Sequence, residues 1–194
     1  FTNVHLIAGT LNMPIEAMTG ATGDSTSAVV TNLYLQPRSQ SKANVTCTIG
    51  VESDRVKATA AKTNLYMANG TLTTDSGLGV VHFQNGTINY GTDGGGGTGL
   101  DIDTLKMYNG ALAWNPNEDA AYIGTAHIYG GTLSCSKTIN EANTRVLGNG
   151  AGNDIYYYTG SKLNLDTGTG VVTVGTQLIY MGGRLTVHSF TDLG

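Results

Sequence analysis

The chain has 194 residues, only 12% of them charged, and a formal net charge of −4. About a quarter charged is usual for a soluble domain, and ten scattered Lys and Arg supply no basic face for phosphates, which argues against nucleic-acid binding and polybasic membrane attachment. Gly (28) and Thr (28) fill 56 of the 194 positions, a composition that excludes a helical bundle and predicts an all-β chain of short strands and tight turns.

Taken in chain order, residues 1–60 fit later patterns least well. Gly9-Thr10-Leu11, Ala28-Val29-Val30 and Leu33-Tyr34-Leu35 echo them, and the segment is expected to be an irregular N-terminal coil or cap. Arg55–Lys62 and Lys137–Leu147 have the only helix-compatible composition. No apolar run approaches the roughly 18 to 20 residues of a membrane span, so membrane insertion is not expected. Cys47 and Cys135 are the only cysteines, too few for a disulfide scaffold or a metal cluster, and both are expected to be buried free thiols.

Residues 61–194 repeat. Leu65, Met67, Asn69, Gly70 and Leu72 match Leu105, Met107, Asn109, Gly110 and Leu112 at an offset of 40 residues without a gap. Leu112, Ile123, Gly124, Thr125, Ile128 and Tyr129 match Leu163, Val174, Gly175, Thr176, Ile179 and Tyr180 at an offset of 51. The units are about 65–90, 105–135 and 156–187. Within them one phrase recurs, Gly, a polar or small residue, then Leu or Ile, at Gly70, Gly86, Gly110, Gly131 and Gly183. Asn-Gly and Gly-Gly pairs reach the left-handed backbone that a sharp corner needs, while the alternation on either side reads as strands. The phrase is a predicted corner, and the stretch Gly91–Gly99 is expected to join one unit to the next.

Hairpins of an antiparallel sandwich or jelly roll could use such units, but have no reason to repeat their apolar registry. In a parallel β-helix each coil lies on the previous one, and the same inward positions must be refilled. The expected fold is therefore a single-stranded parallel β-helix of roughly six to eight coils, two per repeat, with the sandwich as alternative. Cys47 and Cys135 would lie about four coils, or roughly 15 to 20 Å, apart at about 4.8 Å per coil, beyond the roughly 7 Å that a disulfide allows.

No chemistry stands out. Gly96–Asp101 has the start of a calcium-binding nonapeptide, but Asp103 occupies the position that should be apolar and there is one copy. No Lys-Ser/Thr pair follows these glycines, so they form no phosphate cradle. Asp101 and Asp103 point one way from one strand, and Asp75, Asp119, Asp154 and Asp166 fall in turns, where carboxylates hydrogen-bond their own backbone. His5, His82, His127 and His188 are isolated from one another. No catalytic, cofactor or metal-ligating residue is assigned. The tyrosines are more informative: Tyr156, Tyr157 and Tyr158 run consecutively, so at least one faces outward, and Tyr129 and Tyr180 sit beside corners. These five are the candidate partner contacts.

The phrases NGTL, GGTLS and GGRLTV, with the doublets VVTVGT and AAYIGT, resemble the passenger coils of autotransporter adhesins and the β-helical structural proteins of bacteriophage virions, tailspikes and capsid decoration proteins among them. The resemblance covers about residues 65–190. It implies a surface-displayed, non-enzymatic scaffold and transfers no catalytic residue. A solenoid of so few coils suits a virion accessory, fibre or tail-associated subunit better than a passenger, which runs to many more coils. The partners expected are further copies of the chain, a homotrimer included, or a viral or cell-surface protein lattice, and the location a virion. The alternatives are an extracellular or cell-surface adhesin or matrix protein, and a carbohydrate-binding or carbohydrate-cleaving β-helix with a glycan as partner.

Overall fold

A computed structural model of the chain describes residues 1–13, 30–37, 45–49, 62–74, 77–91, 102–114, 120–135, 144–147, 155–165, 171–174 and 178–187. These form two parallel sheets wound by one chain. The first five coils each contribute one strand per sheet: β1 (Asn3–Leu6) and β2 (Gly9–Met13), β3 (Asn32–Leu35) and β4 (Val45–Ile49), β5 (Thr63–Met67) and β6 (Thr71–Thr74), β7 (Leu78–Phe83) and β8 (Thr87–Tyr90), β9 (Ile102–Met107) and β10 (Ala111–Trp114). Coil 6 is β11 (Ala120–Ile128) and β12 (Gly131–Ser134). In coils 7 and 8 the first strand is divided, into β13 (Thr144–Leu147) and β14 (Ile155–Tyr158) before β15 (Ser161–Leu165), and into β16 (Val171–Val174) and β17 (Leu178–Met181) before β18 (Arg184–Val187).

The order β1-β3-β5-β7-β9-β11-β13-β16, with β14 and β17 continuing from β11, makes the first sheet, and β2-β4-β6-β8-β10-β12-β15-β18 makes the second. Every pairing is parallel. This is the expected parallel β-helix, with eight coils, and not a sandwich. The 40-residue offset is also explained: β5 and β9 are both paired to β7, which lies between them, so one repeat is two coils.

Alternation along each strand divides the side chains cleanly between core and surface. Inward from the first sheet, Leu33, Leu65, Val81, Leu105, Ala126 and Ile155 stack as one column and Leu35, Met67, Phe83, Met107, Ile128 and Tyr157 as the next, all buried. The second sheet returns Cys47, Leu72, Ile88, Leu112 and Leu133 from the opposite side. Each full burial of such a side chain is worth about 1.5 to 3 kcal/mol, and because every coil refills the same column the contribution repeats. Cys47 and Cys135 are buried four coils apart and form no disulfide; Cys47 shares its column with Leu72, Ile88, Leu112 and Leu133. Burial pushes the Cys47 thiol up to about 12.

The predicted corners at Gly70, Gly86, Gly110, Gly131 and Gly183 all have positive φ, joined by Gly9, Gly160 and Gly182. At Gly86 (φ 108) a Cβ would lie 2.3 Å from the Gly70 carbonyl oxygen, so one corner rests directly on the next. Hydrogen bonds run through the corners as they do through the strands: the N–H of Thr87, Ala111 and Thr132 donate to the carbonyls of Gly70, Gly86 and Gly110 at 2.8 to 2.9 Å. Asn69, Asn85 and Asn109 sit beside them, linked side chain to side chain at 3.5 and 3.3 Å.

Two expectations meet a different arrangement. Within 1–60, read as irregular, the described residues form β1 to β4 in register with the coils that follow. The helix-compatible stretch Lys137–Leu147 ends in strand β13, paired to β11 and β16, because Thr144-Arg145-Val146-Leu147 lies on an existing edge that takes its backbone hydrogen bonds, and tertiary pairing overrides local propensity. Residues 55–61, 92–99 and 137–143 lie outside the described residues.

One irregularity shapes the first sheet. Thr63 and Leu65 pair with Leu78 and Val81, so β7 holds one residue more than β5 at this point. The extra residue falls beside Gly79, where a Cβ would lie 2.7 Å from Asn64 Oδ1. That same oxygen accepts from the Val80 N–H at 3.0 Å, satisfying the donor that the bulge displaces.

Candidate partner-contact face

The parallel register places residues from successive coils directly above one another on the outer surface. On the first sheet one outward column reads His5, Tyr34, Tyr66, His82, Lys106, His127, Tyr156 and Ile179. Its rings stack. His5–Tyr34, Tyr34–Tyr66 and Tyr66–His82 centroids are 4.3, 4.8 and 5.4 Å apart with planes within 10° of parallel. After Lys106 the stack resumes with His127–Tyr156 at 4.5 Å.

A second column, next to the corners, holds Tyr108, Tyr129, Tyr158 and Met181. Tyr108–Tyr129 and Tyr129–Tyr158 stack at 5.2 and 4.6 Å, and Tyr108, Tyr129 and Met181 are 49%, 38% and 52% exposed. His127 Nδ1 lies 3.4 Å from the Tyr158 hydroxyl and joins the two columns. Burial, and then the positive charge of Lys106 in the next coil, hold His127 below the usual imidazole range.

Of the five tyrosines singled out in the sequence, Tyr129, Tyr156 and Tyr158 thus share this wall. Tyr157 faces the other way and is a fully buried core residue, because strand alternation reverses it relative to its neighbours. Tyr180 stands in register with Tyr157, tilted against its ring at 5.4 Å, and is 62% exposed.

Same-face stacking between coils is a reading the tyrosines of a solenoid allow from sequence; that histidines join the stack was not foreseen, although a signal exists: His5, Tyr66, His82, His127 and Tyr156 each stand four residues before Gly9, Gly70, Gly86, Gly131 and Gly160. Of the four histidines read as isolated, three lie in this one column; His188 is outside the described residues.

At the other end of the same strands, Lys62 Nζ donates to Asp103 Oδ1 at 2.5 Å and to the Tyr122 hydroxyl at 3.1 Å, and lies 4.9 Å from the Tyr122 ring centroid. Lys62 precedes β5, Asp103 belongs to β9 and Tyr122 to β11, so the cluster ties coil 3 to coils 5 and 6 across the bare backbone of Gly79. Asp103 is therefore half of an ion pair. Asp75, Asp101, Asp119, Asp154 and Asp166 lie outside the described residues. Among the described residues no three His, Cys, Asp or Glu side chains come together to hold a metal ion, and no helix is long and apolar enough to cross a membrane.

The arrangement decides what the aromatic wall can offer. A sugar stacks on an open ring face, but Tyr34, Tyr66 and Tyr129 each have rings above and below, so at these positions the wall presents ring edges and hydroxyls. Such a surface suits lateral contact with protein, where tyrosine combines apolar area with a hydrogen-bonding tip. Compared with protein-family models, curated proteins and solved structures, the chain matches none.

Proposed function

We propose that the protein is a non-enzymatic structural subunit that acts by docking laterally on copies of itself or on a protein lattice, in the setting of a bacteriophage virion as a capsid decoration, fibre or tail-associated component. The observation that carries the docking role is the outward column Tyr108, Tyr129, Tyr158 and Met181, in which Tyr108, Tyr129 and Met181 are exposed and Tyr158 half-buried, held in register by the coils beneath it. Tyrosine and methionine are enriched in interface cores, and a wall whose side chains are fixed by stacking loses little conformational freedom on binding. The virion setting draws on the resemblance of the corner phrases.

The test is oligomeric state by size-exclusion chromatography with light scattering, followed by electron microscopy of the assembly. The expected result is a discrete oligomer or a lattice-bound form. Replacing Tyr108 and Tyr129 with Ser is expected to lower that association at least tenfold while leaving the circular dichroism spectrum unchanged. A monomer that binds isolated glycans, or releases sugar ends in a reaction lost in Asp103→Ala, overturns the reading.

A further inference from the structure

Tyr129 and Tyr158 differ from the other ring pairs of the wall in having a base against one hydroxyl. Their centroids are 4.6 Å apart with planes 23° from parallel, and His127 Nδ1 is 3.4 Å from the Tyr158 hydroxyl. The His127 ring is itself fixed, stacked within 4° of parallel on Tyr156 at 4.5 Å. Its depressed basicity keeps it neutral near pH 7, and in the tautomer protonated at Nε2 its Nδ1 accepts the phenol proton. Tyr129 is 38% exposed and stands at a corner flanked by Gly130 and Gly131, and Tyr158 precedes the corner at Thr159 and Gly160. An oxidant can therefore reach the pair at Tyr129.

We propose that Tyr129 and Tyr158 are an oxidative cross-linking site at which a one-electron oxidant of the haem-peroxidase class joins the two rings and staples coil 6 to coil 7. Each phenol gives up one electron to the oxidant and one proton, that of Tyr158 to His127 Nδ1 and onward to water, that of Tyr129 to water. The two phenoxyl radicals couple through the ring carbons ortho to oxygen, forming one C–C bond, and each of these carbons then transfers its hydrogen to the adjacent oxygen to restore a phenol. Two electrons and two protons leave in all, which one hydrogen peroxide consumes in forming two waters. Because the coils hold the rings side by side, coupling is intramolecular, with the rate advantage that fixed proximity gives. Tyr34 and Tyr66 stack at a similar 4.8 Å, but among the described residues no base meets their hydroxyls, and they serve as the internal reference.

The experiment treats the dilute chain with a haem peroxidase and limiting hydrogen peroxide, then follows dityrosine fluorescence and the mass of cross-linked peptides. The expected product is a monomer in which the Tyr129 and Tyr158 peptides are joined with loss of two hydrogens. Tyr129→Phe and Tyr158→Phe, which keep the stacked ring, are expected to lose that peptide pair, and His127→Phe, which keeps a flat ring on Tyr156, to form it more slowly. Cross-links found only between molecules, equal yield at Tyr34 and Tyr66, or an undiminished rate in His127→Phe would each overturn the proposal.

Discussion

The two edges of the solenoid are built by opposite rules. On one edge most first-sheet strands turn into second-sheet strands through two or three residues, such as 84–86, 108–110 and 129–130. On the other edge the chain returns through connections of every length, from three residues at 75–77 to eighteen at 14–31. Equivalent positions of successive coils accordingly follow after 16 residues (Thr71 to Thr87) or 24 (Thr87 to Ala111) without any loss of register. Register is therefore set at the corner edge, where glycine rests on glycine, and the return edge is free to vary because closing a longer loop costs little.

The most direct way to break this contrast is Gly86→Ala. The new methyl would meet the Gly70 carbonyl oxygen at 2.3 Å, with φ at +108°, and unfolding by denaturant is expected to show a loss of about 3 kcal/mol, from backbone strain and the forced separation of two coils. Gly9→Ala isolates the first of these causes. Its φ is +82° but nothing lies within 4 Å of the added methyl, so a loss of about 1 kcal/mol is expected in the same assay. Equal losses at the two sites would mean that corner stacking contributes nothing.

On the return edge, removing Gly94–Gly97 from the connection 91–101 is expected to change stability by no more than about 0.6 kcal/mol, the scale of a twofold change in loop length. The smallest effect is expected from His127, beside the corners. Its folded pKa is lowered from 6.5, so on acidification the unfolded chain takes up its proton first. Stability is full above pH 6.5, falls as pH drops below it, and levels off once the folded form is also protonated. Lys106, Tyr129, Tyr156 and Tyr158 are the groups around that ring. Denaturation midpoints measured against pH should lose this component of the slope in His127→Phe.

The corner edge was also the legible part of the sequence. Asn-Gly and Gly-Gly followed by Leu or Ile marks a conformation that other residues avoid, and the recurrence of Leu, Met and Leu at fixed offsets records columns that each coil must refill. What depends on contact between coils was not legible. The stacking of His5, Tyr34, Tyr66 and His82 follows from a register that passes through connections of unequal length, so these rings look scattered along the chain. The bulge at Gly79 needs Asn64, fifteen residues earlier, to receive the displaced N–H. Strand β13 was concealed for the same reason: four residues with no alternation of their own become a strand when β11 offers an edge.

The direction of the hydrogen bonds has a further consequence. In both sheets they run from coil to coil, slanted across the strands as in any parallel pair, and so roughly along the axis of the helix. Tension between the two ends loads the rows in series, and the chain parts one coil at a time, as a zip does. A load applied along the strands must slide a whole row at once. In the first sheet a single row of four registered pairs joins β1 to β3, and another joins β3 to β5, whereas coils 7 and 8 are joined by two such rows, β13 with β16 and β14 with β17. A subunit anchored by its wall resists shear from the side, and the first sheet gives way more readily when pulled from its first coil than from its last.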